Sequence, residues 1–333
     1  MQKIDSALSN RLAKMSLICS LLVVVLHANV AQGVWGRLVS IACLAVSIFF
    51  MMSGYLFAGR MCEPGWYWRQ VKSRARSLML PYVLWNFLYL AFVIGVLMGA
   101  EALVHPTGMR EFLQSAASRI GSFGFDPFRF PPLGVMWFVR CLIVFTILSP
   151  IFMLWSKRYG WCLSLLGYVA YFLYSYYFPE QKGDWPTKWM AKSWVRATFW
   201  FGLGVWLRFN VQVNCRVSRG LGMGLLSVGW ILLGLHGVAF YALGIPIGVV
   251  GLWLCISGRP WPAWLTGLSF PIFVLHPFFQ RCVGLRAASL WGGCGFEVLS
   301  VLRCLVMIGG AVAVGAMLRK FLPRLSKFAF GGR

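Results

Sequence analysis

The strongest constraint in this sequence is a series of apolar stretches that recur along its whole length. Each is long enough, at a helical rise of about 1.5 Å per residue, to cross a hydrocarbon core about 30 Å thick. Only 12% of the residues are charged, whereas soluble domains carry about a quarter. Long apolar runs also exclude the alternating pattern of a barrel. The sequence therefore predicts an all-α polytopic protein whose main partner is the lipid bilayer.

About ten transmembrane helices are predicted, and we expect them to form a single domain over residues 1–333. Their approximate bounds are 15–31, 38–58, 79–99, 133–155, 161–178, 195–209, 220–236, 238–256, 262–280 and 298–317. The longest polar stretch lies between Gly99 and Phe130, so no soluble domain is expected.

The net charge of +23 is distributed as in membrane proteins rather than as in nucleic-acid-binding proteins. Lys and Arg form short clusters between apolar segments, and about twice as many fall in the predicted inner loops as in the outer ones. Most of the eight acidic residues fall on the outer side. Both termini are therefore predicted to be cytoplasmic, and no nucleic-acid partner is expected.

Three polar side chains within the predicted spans are candidates for chemistry, because burying such groups in lipid is costly. His27 lies in the first span, Arg140 in the fourth and His276 in the ninth. Alternating spans place all three in the outer half of the membrane at similar depth. Two alternatives stay open: a histidine can simply bond a neighbouring helix, and Arg140 can snorkel to the outer surface.

No acidic residue lies within any of the predicted spans. A catalytic histidine would therefore need a backbone carbonyl, a hydroxyl or an outer-loop carboxylate to orient it. The ten cysteines are scattered and form no CxxC pair, and in lipid cysteine behaves as a small apolar residue. We expect neither a bound metal nor disulfides.

Two further segments suggest binding. Ser53 and Gly54 allow close approach of two helices, although packing alone would explain them. A basic cluster precedes the third span and consists of Arg69, Lys72, Arg74 and Arg76. Its simplest explanation is positive-inside topology, and its functional one is a docking surface for an anionic cytoplasmic ligand such as coenzyme A.

These segments occur in a recognisable order. They are VVVLHAN, FFMMSGYLF, RARSLMLPYVLWN, MWFVRCLIVFTILSP, FWFGLGVWLRF and SFPIFVLHPF. In this order they resemble the acyltransferase-3 family, whose members are ten-helix membrane proteins that acylate sugars. The resemblance implies transfer of an acyl group, most simply acetyl from acetyl-CoA, to a hydroxyl of a cell-surface or lipid-linked sugar. It also implies a bacterial inner-membrane location.

The resemblance also implies roles for individual residues. His27 would be the general base on the acceptor hydroxyl or a transient acyl carrier, and Arg140 would stabilise the oxyanion or position the donor carbonyl. The implied substrate-binding residues are Ser53, Gly54 and Tyr55 in a donor channel, His276 at the pocket, Lys14 as the basic residue nearest to the family's first-span position, and Arg69, Arg74 and Arg76 at the CoA phosphates.

The chain departs from the family pattern at two positions. The family usually places a basic residue eleven positions before the first-span histidine, about 20° past three helical turns and so on the same face. Here that position is Ser16, and the nearest basic residue, Lys14, lies about 220° round. The acidic residue that often follows the fourth-span arginine is replaced by Cys141.

Two other functions stay open from the sequence. One is a transporter or flippase for a glycan or lipid, which broken helices near the membrane midplane would favour. The other is a scaffold of glycan synthesis without catalytic activity.

Overall fold

The computed structural model describes residues 6–28, 36–37, 39–61, 63–102, 130–177, 185–211, 219–235, 237–284 and 295–330, and its regular elements are helical. The α-helices are α1 (Ser6–His27), α2 (Leu44–Ala58), α3 (Trp66–Arg74), α4 (Leu80–Ala102), α5 (Trp137–Ile147), α6 (Ser149–Phe152), α7 (Gly160–Tyr177), α8 (Trp185–Asn210), α9 (Arg219–Gly234), α10 (Val238–Cys255), α11 (Ala263–Thr266), α12 (Ser269–Gly284), α13 (Gly295–Phe321) and α14 (Pro323–Ala329). The predicted all-α membrane fold is confirmed.

Four helical stretches among the described residues are long and apolar enough to cross a membrane. They are Ser6–His27, Ser40–Ala58, Trp66–Gly95 and Ser300–Phe321. The third is continuous because a π-helical turn at Ala75–Met79 joins α3 to α4. The other predicted spans overlap shorter or less apolar helices, so the number ten stays a prediction.

The fourth predicted span, 133–155, is not one straight helix. It breaks after α5 and bends by 80° before the segment Ser149–Ser156. Pro150 has no N–H to continue the ladder, and its ring clashes with the carbonyl four residues earlier. The hydroxyls of Thr146 and Ser149 donate to backbone carbonyls of the preceding turn at 2.8 and 2.7 Å. Such back-bonding bends helices, so the sequence contains the reason for the break.

The chain folds into two compact units. The larger unit comprises Met1–Trp66, Pro150–Pro179 and Val195–Met317. The smaller unit comprises Tyr67–Ser149, Glu180–Trp194 and Leu318–Arg333. In the larger unit α1 packs against α2 and α12, and α9 packs along the whole of α10.

The last described helix, α14, packs against α4 in the smaller unit. The indole N–H of Trp85 on α4 donates to the carbonyl of Ala329 at 2.7 Å. The same indole stacks on Phe330, with ring centroids 5.8 Å apart. Phe330 is almost completely buried, so the C-terminal segment is part of this unit's core.

Contacts within the larger unit agree with the predicted alternation of spans. Lys14, at the predicted inner end of the first span, bonds Ser257 just after the eighth. Tyr55 and Arg208, at the predicted inner ends of the second and sixth spans, also bond each other. The side of the membrane on which these ends lie stays a prediction.

Sidedness is testable by labelling single introduced cysteines in intact cells with a membrane-impermeant reagent. We expect Arg76 and Arg333 to be protected and Glu111 and Asp184 to be labelled, because the basic loops are predicted to stay inside. Arg333, Glu111 and Asp184 lie outside the described residues. Any one of these positions on the opposite side would contradict the predicted topology.

Candidate active site

Two histidines meet where α1 ends against α12. His27 is the last residue of α1, and His276 lies in the middle of α12. Their ring centroids are 5.2 Å apart and the rings are tilted by 37°. His276 is completely buried, whereas His27 is half-buried. The sequence predicted similar depths for the two residues, and the structure makes them neighbours.

The end of α1 is held by a side chain from α12. The last carbonyls of a helix have no partner within the helix. The side-chain amide of Gln280 donates to the carbonyl oxygen of His27 at 2.9 Å. Gln280 lies one turn beyond His276 on α12. The same helix therefore supplies the second ring and fixes the backbone that carries the first.

One nitrogen of His276 has a defined role. Its Nδ1 lies 3.1 Å from the carbonyl oxygen of Ile272. A carbonyl only accepts, so Nδ1 carries the hydrogen and Nε2 keeps the lone pair. The following residue, Pro277, has no N–H, so the carbonyl of Phe273 lacks its usual helical donor. The polar surroundings of this ring therefore come from backbone acceptors.

The Nε2 atom of His276 is buried and has no hydrogen-bond partner within the described residues. Leaving a buried acceptor unmet costs about 1–3 kcal/mol. A hydrogen-bond donor, from the neighbouring imidazole or from a bound substrate, would recover that free energy. A catalytic role is one explanation for an unsatisfied buried polar group in a native protein, and the contact with a second imidazole makes this acceptor the candidate for a reaction centre.

The orienting group foreseen for a catalytic histidine is thus a backbone carbonyl, but it serves His276 rather than His27. No group of three or more His, Cys, Asp or Glu residues that could hold a metal occurs within the ranges that the structure describes. Imidazole side chains can accept and return protons near pH 7.

Three serines, which lie nearer to the start of α1 and of α12 than the histidine pair does, hydrogen-bond α1 to α12. The hydroxyl of Ser269 lies 2.6 Å from that of Ser16 and 2.8 Å from that of Ser20. Ser16 is the position at which the family pattern has a basic residue. Its hydroxyl here belongs to the helix interface, and the ammonium of Lys14 instead reaches Ser257 at 2.8 Å. Lys14 therefore does not replace the basic residue that the family pattern has at position 16.

The Ser53–Tyr55 segment lies at a close contact between α2 and α8. A Cβ added to Gly54 would overlap the backbone carbonyl of Phe201, and one added to Gly204 would overlap that of Met51. One guanidinium nitrogen of Arg208 donates to the hydroxyl of Tyr55 at 3.1 Å. The two helices therefore touch backbone to backbone.

Replacing Gly54 by Ala should destabilise the protein by about 1–3 kcal/mol, because the helices must separate to admit the methyl group. The measurement is the thermal unfolding midpoint of the purified protein in detergent. Gly95→Ala is the matched control, because a Cβ there meets nothing within 4 Å. An unchanged midpoint in the Gly54 variant would contradict the close contact.

The remaining candidates belong to the smaller unit. Arg140 on α5 is completely buried and lies beside the hydroxyl of Tyr82. It therefore does not snorkel to a surface. Arg69 and Arg76 are exposed and Arg74 is half-buried. Exposed cations each contribute little to binding on their own.

Sequence reasoning missed Arg11, which is 4% exposed and lies three residues before Lys14 on α1. Its guanidinium is 5.9 Å from the centre of the Trp253 ring. It also missed Gln280 and Ser269. Their common signal is a polar residue inside an apolar helix, which by itself does not reveal the partner.

Comparison with known protein families shows which family the chain resembles. Residues 17–320 match the model of the acyltransferase-3 family, which is described as an acyltransferase domain. The match covers most of the chain, including both histidines and Arg140. No curated protein and no solved structure matches the chain.

Proposed function

This chain belongs to the acyltransferase-3 family, and from that premise we propose that it moves an acetyl group from cytoplasmic acetyl-CoA to a hydroxyl of a cell-surface or lipid-linked sugar. The protein is a membrane acyltransferase; the donor, the acceptor and a bacterial inner-membrane location are the proposed parts. The observation that supports a transfer centre in this chain is the pair formed by His27 and His276, whose ring centroids are 5.2 Å apart.

In this proposal His27 is the general base. It is half-buried, so an acceptor can reach it, and its neutral imidazole can take the proton of the sugar hydroxyl. The sugar oxygen then attacks the thioester carbonyl, the carbon–sulfur bond breaks, and the proton passes to the leaving thiolate. His276 is a positioning residue in this proposal, because its completely buried ring lies against that of His27.

Arg140 keeps in this proposal the role that the family resemblance implies for it, which is to stabilise negative charge. The tetrahedral intermediate carries an oxyanion, and a preorganised cation away from water stabilises such a charge strongly. Complete burial of Arg140 beside Tyr82 meets that requirement. Ser53, Gly54 and Tyr55 line the channel for the donor in this scheme.

The exposed basic cluster gives a separate prediction. Replacing Arg69, Arg74 and Arg76 together by Gln should raise the KM for acetyl-CoA several-fold, because phosphate groups attract cations. The increase should shrink in high salt, since exposed charges are screened. Steady-state kinetics at two salt concentrations measure both effects. An unchanged KM at low salt would leave the cluster only a topological role.

The proposed function is tested with radiolabelled acetyl-CoA and membranes that contain or lack the protein. We expect base-labile label in the carbohydrate fraction only when the protein is present. A transporter, which the break after α5 would favour, would move glycan without labelling it. A scaffold would support labelling only when a second enzyme is present. Failure of the purified protein to label the glycan would therefore contradict the enzyme proposal.

A further inference from the structure

An asparagine side chain is buried in the apolar helix α4 of the smaller unit. Asn86 is 0% exposed, whereas the next residue, Phe87, is 61% exposed. The helix therefore turns the amide inward and the ring outward. A polar side chain within a membrane span is costly unless its donors and acceptors are satisfied. The partners of this amide therefore indicate what it does.

The amide of Asn86 links two segments of the smaller unit. Its Oδ1 accepts the backbone N–H of Leu133 at 2.9 Å, a bond between residues 47 positions apart. Its Nδ2 donates to the carbonyl oxygen of Tyr82, one turn earlier on α4, at 2.7 Å. An amide is a short neutral side chain that offers both a donor and an acceptor. Asn86 thus uses both of its polar atoms to connect α4 with the segment that begins at Leu133.

The helical segment that carries Arg140 begins at Leu133. This residue is the N-cap of the 3₁₀ turn Gly134–Met136, which continues directly into α5. In a capping box the N–H of the N-cap residue is bonded by a Glu or Gln three positions later, but that position here is Met136. Asn86 supplies from another helix the bond that the local sequence lacks.

The other end of this link lies beside Arg140 itself. Tyr82 and Asn86 are four residues apart, so they share one face of α4. The hydroxyl of Tyr82 lies beside the guanidinium of Arg140, and both side chains are buried. The same face of α4 therefore meets the second segment twice, at Leu133 through Asn86 and at Arg140 through Tyr82. The order of the two contacts is reversed along the two helices, as expected for neighbouring antiparallel spans.

The far end of α5 is held in a weaker way. The hydroxyl of Tyr67 on α3 donates to the carbonyl oxygen of Ile147 at 3.3 Å, and this bond is exposed. Water can replace either partner there. The bond between Asn86 and Leu133 is buried, where an N–H that loses its partner keeps its full desolvation penalty. Loss of the buried bond should therefore have the larger effect on the position of α5.

We propose that Asn86 is a positioning residue for Arg140. Its amide fixes the start of the helix that carries the guanidinium to the face of α4 that carries Tyr82. This inference rests on the proposed function, in which Arg140 stabilises negative charge. Misplacing a reacting group by about 1 Å can cost about 10²-fold in rate. The alternative is that the amide only satisfies the Leu133 N–H and stabilises the fold.

Kinetics of Asn86→Leu separate these two roles, because leucine has a similar size but neither donor nor acceptor. We expect kcat to fall about 10- to 100-fold, with the KM for acetyl-CoA unchanged, in initial rates normalised to folded protein. The same substitution in an Arg140→Met background should lower kcat no further, because residues that act as a unit are not additive. A further tenfold loss in that background would contradict a role through Arg140.

The matched control is Trp85→Phe, at the neighbouring residue of α4. It also removes a buried hydrogen bond, from the indole N–H to the carbonyl oxygen of Ala329 at 2.7 Å, but that bond holds the C-terminal segment rather than α5. We expect a lower unfolding temperature with kcat preserved in the folded protein. This is the behaviour that a purely structural Asn86 would also show.

Hydrogen exchange at the Leu133 amide tests the bond without any activity. The two preceding prolines have no amide hydrogen, so Leu133 is the first exchanging position in a peptide that begins at Phe130. Mass spectrometry of that peptide should show exchange about tenfold faster in Asn86→Leu than in the wild type, because the N–H loses its partner. Exchange in Trp85→Phe should be unchanged. If Asn86→Leu does not fold, Asn86→Ala, which leaves room for a water at Leu133, replaces it in both measurements.

The two readouts decide between the possible outcomes. Unchanged exchange in the Asn86 variant would overturn the proposal whether or not the protein transfers acetyl groups. Faster exchange with a normal kcat would also overturn it, because the amide would then have only a structural role. Faster exchange in the variant, with no acetyl transfer by the wild type, would contradict the proposed function alone.

Discussion

Replacing His27 by Gln is expected to lower acetyl transfer by about 10²- to 10⁴-fold, the usual cost of losing a general base. Glutamine keeps much of the bulk and some hydrogen bonding, but its amide does not take up a proton near pH 7. The contact of Gln280 with the backbone carbonyl of residue 27 does not depend on the side chain. Initial rates with labelled acetyl-CoA, normalised to protein abundance, measure the effect.

The control for this variant is His105→Gln. His105 lies outside the described residues and is predicted to be in an outer loop, so its replacement should leave transfer unchanged. Normal activity of the His27 variant at normal abundance would exclude both the base and the acyl-carrier roles. Rapid quenching distinguishes these two roles, since only a carrier gives labelled protein before the acceptor is added.

Replacing His276 by Leu is expected to lower kcat about 10²-fold while the KM for acetyl-CoA stays unchanged. The ring is a positioning group, so its loss should affect the chemical step rather than donor binding. A merely structural histidine would behave differently. Its replacement would reduce abundance and thermal stability, with kcat preserved in the protein that remains folded.

Stability is the decisive second readout for His276. Leucine removes the buried Nε2 that has no partner in the described structure, and removing an unmet polar group can be neutral or stabilising. We therefore expect an unfolding midpoint no lower than that of the wild type. A normal kcat in this variant would contradict the positioning role.

The helical fold and the similar depth of the two histidines were predictable from sequence. Apolar length identifies helices whatever their partners, because lipid leaves the backbone few alternatives. Alternating spans then bring the end of the first and the middle of the ninth to the same depth. Both arguments use only the apolar length and the alternating direction of the spans, and they identify His27 and His276.

The rest depends on contacts between distant segments. The side-chain bonds from Lys14 to Ser257 and from Ser16 to Ser269 each join parts of the chain that are far apart in sequence. Helical spacing shows which face a residue occupies, but not which helix covers that face. Arg11 was missed for this reason, since near a helix start a basic residue is usually a topology signal.

The break after α5 was missed for a different reason. Apolar composition continues through residues 133–155, so composition gives no sign of the break. The information was local, in the back-bonding hydroxyls of Thr146 and Ser149 and in the missing N–H of Pro150. Hydroxyl residues followed by a proline inside an apolar run therefore indicate where a helix breaks.

The central claim is that donor and acceptor are used from opposite faces of the membrane through the histidine pair. Labelled acetyl-CoA, which does not cross a bilayer, tests it in inverted and right-side-out membrane vesicles. The account predicts base-labile glycan label in inverted vesicles, none in right-side-out vesicles, and none in inverted vesicles that carry His27→Gln. Equal labelling in both orientations, or undiminished labelling with His27→Gln at normal abundance, would contradict it.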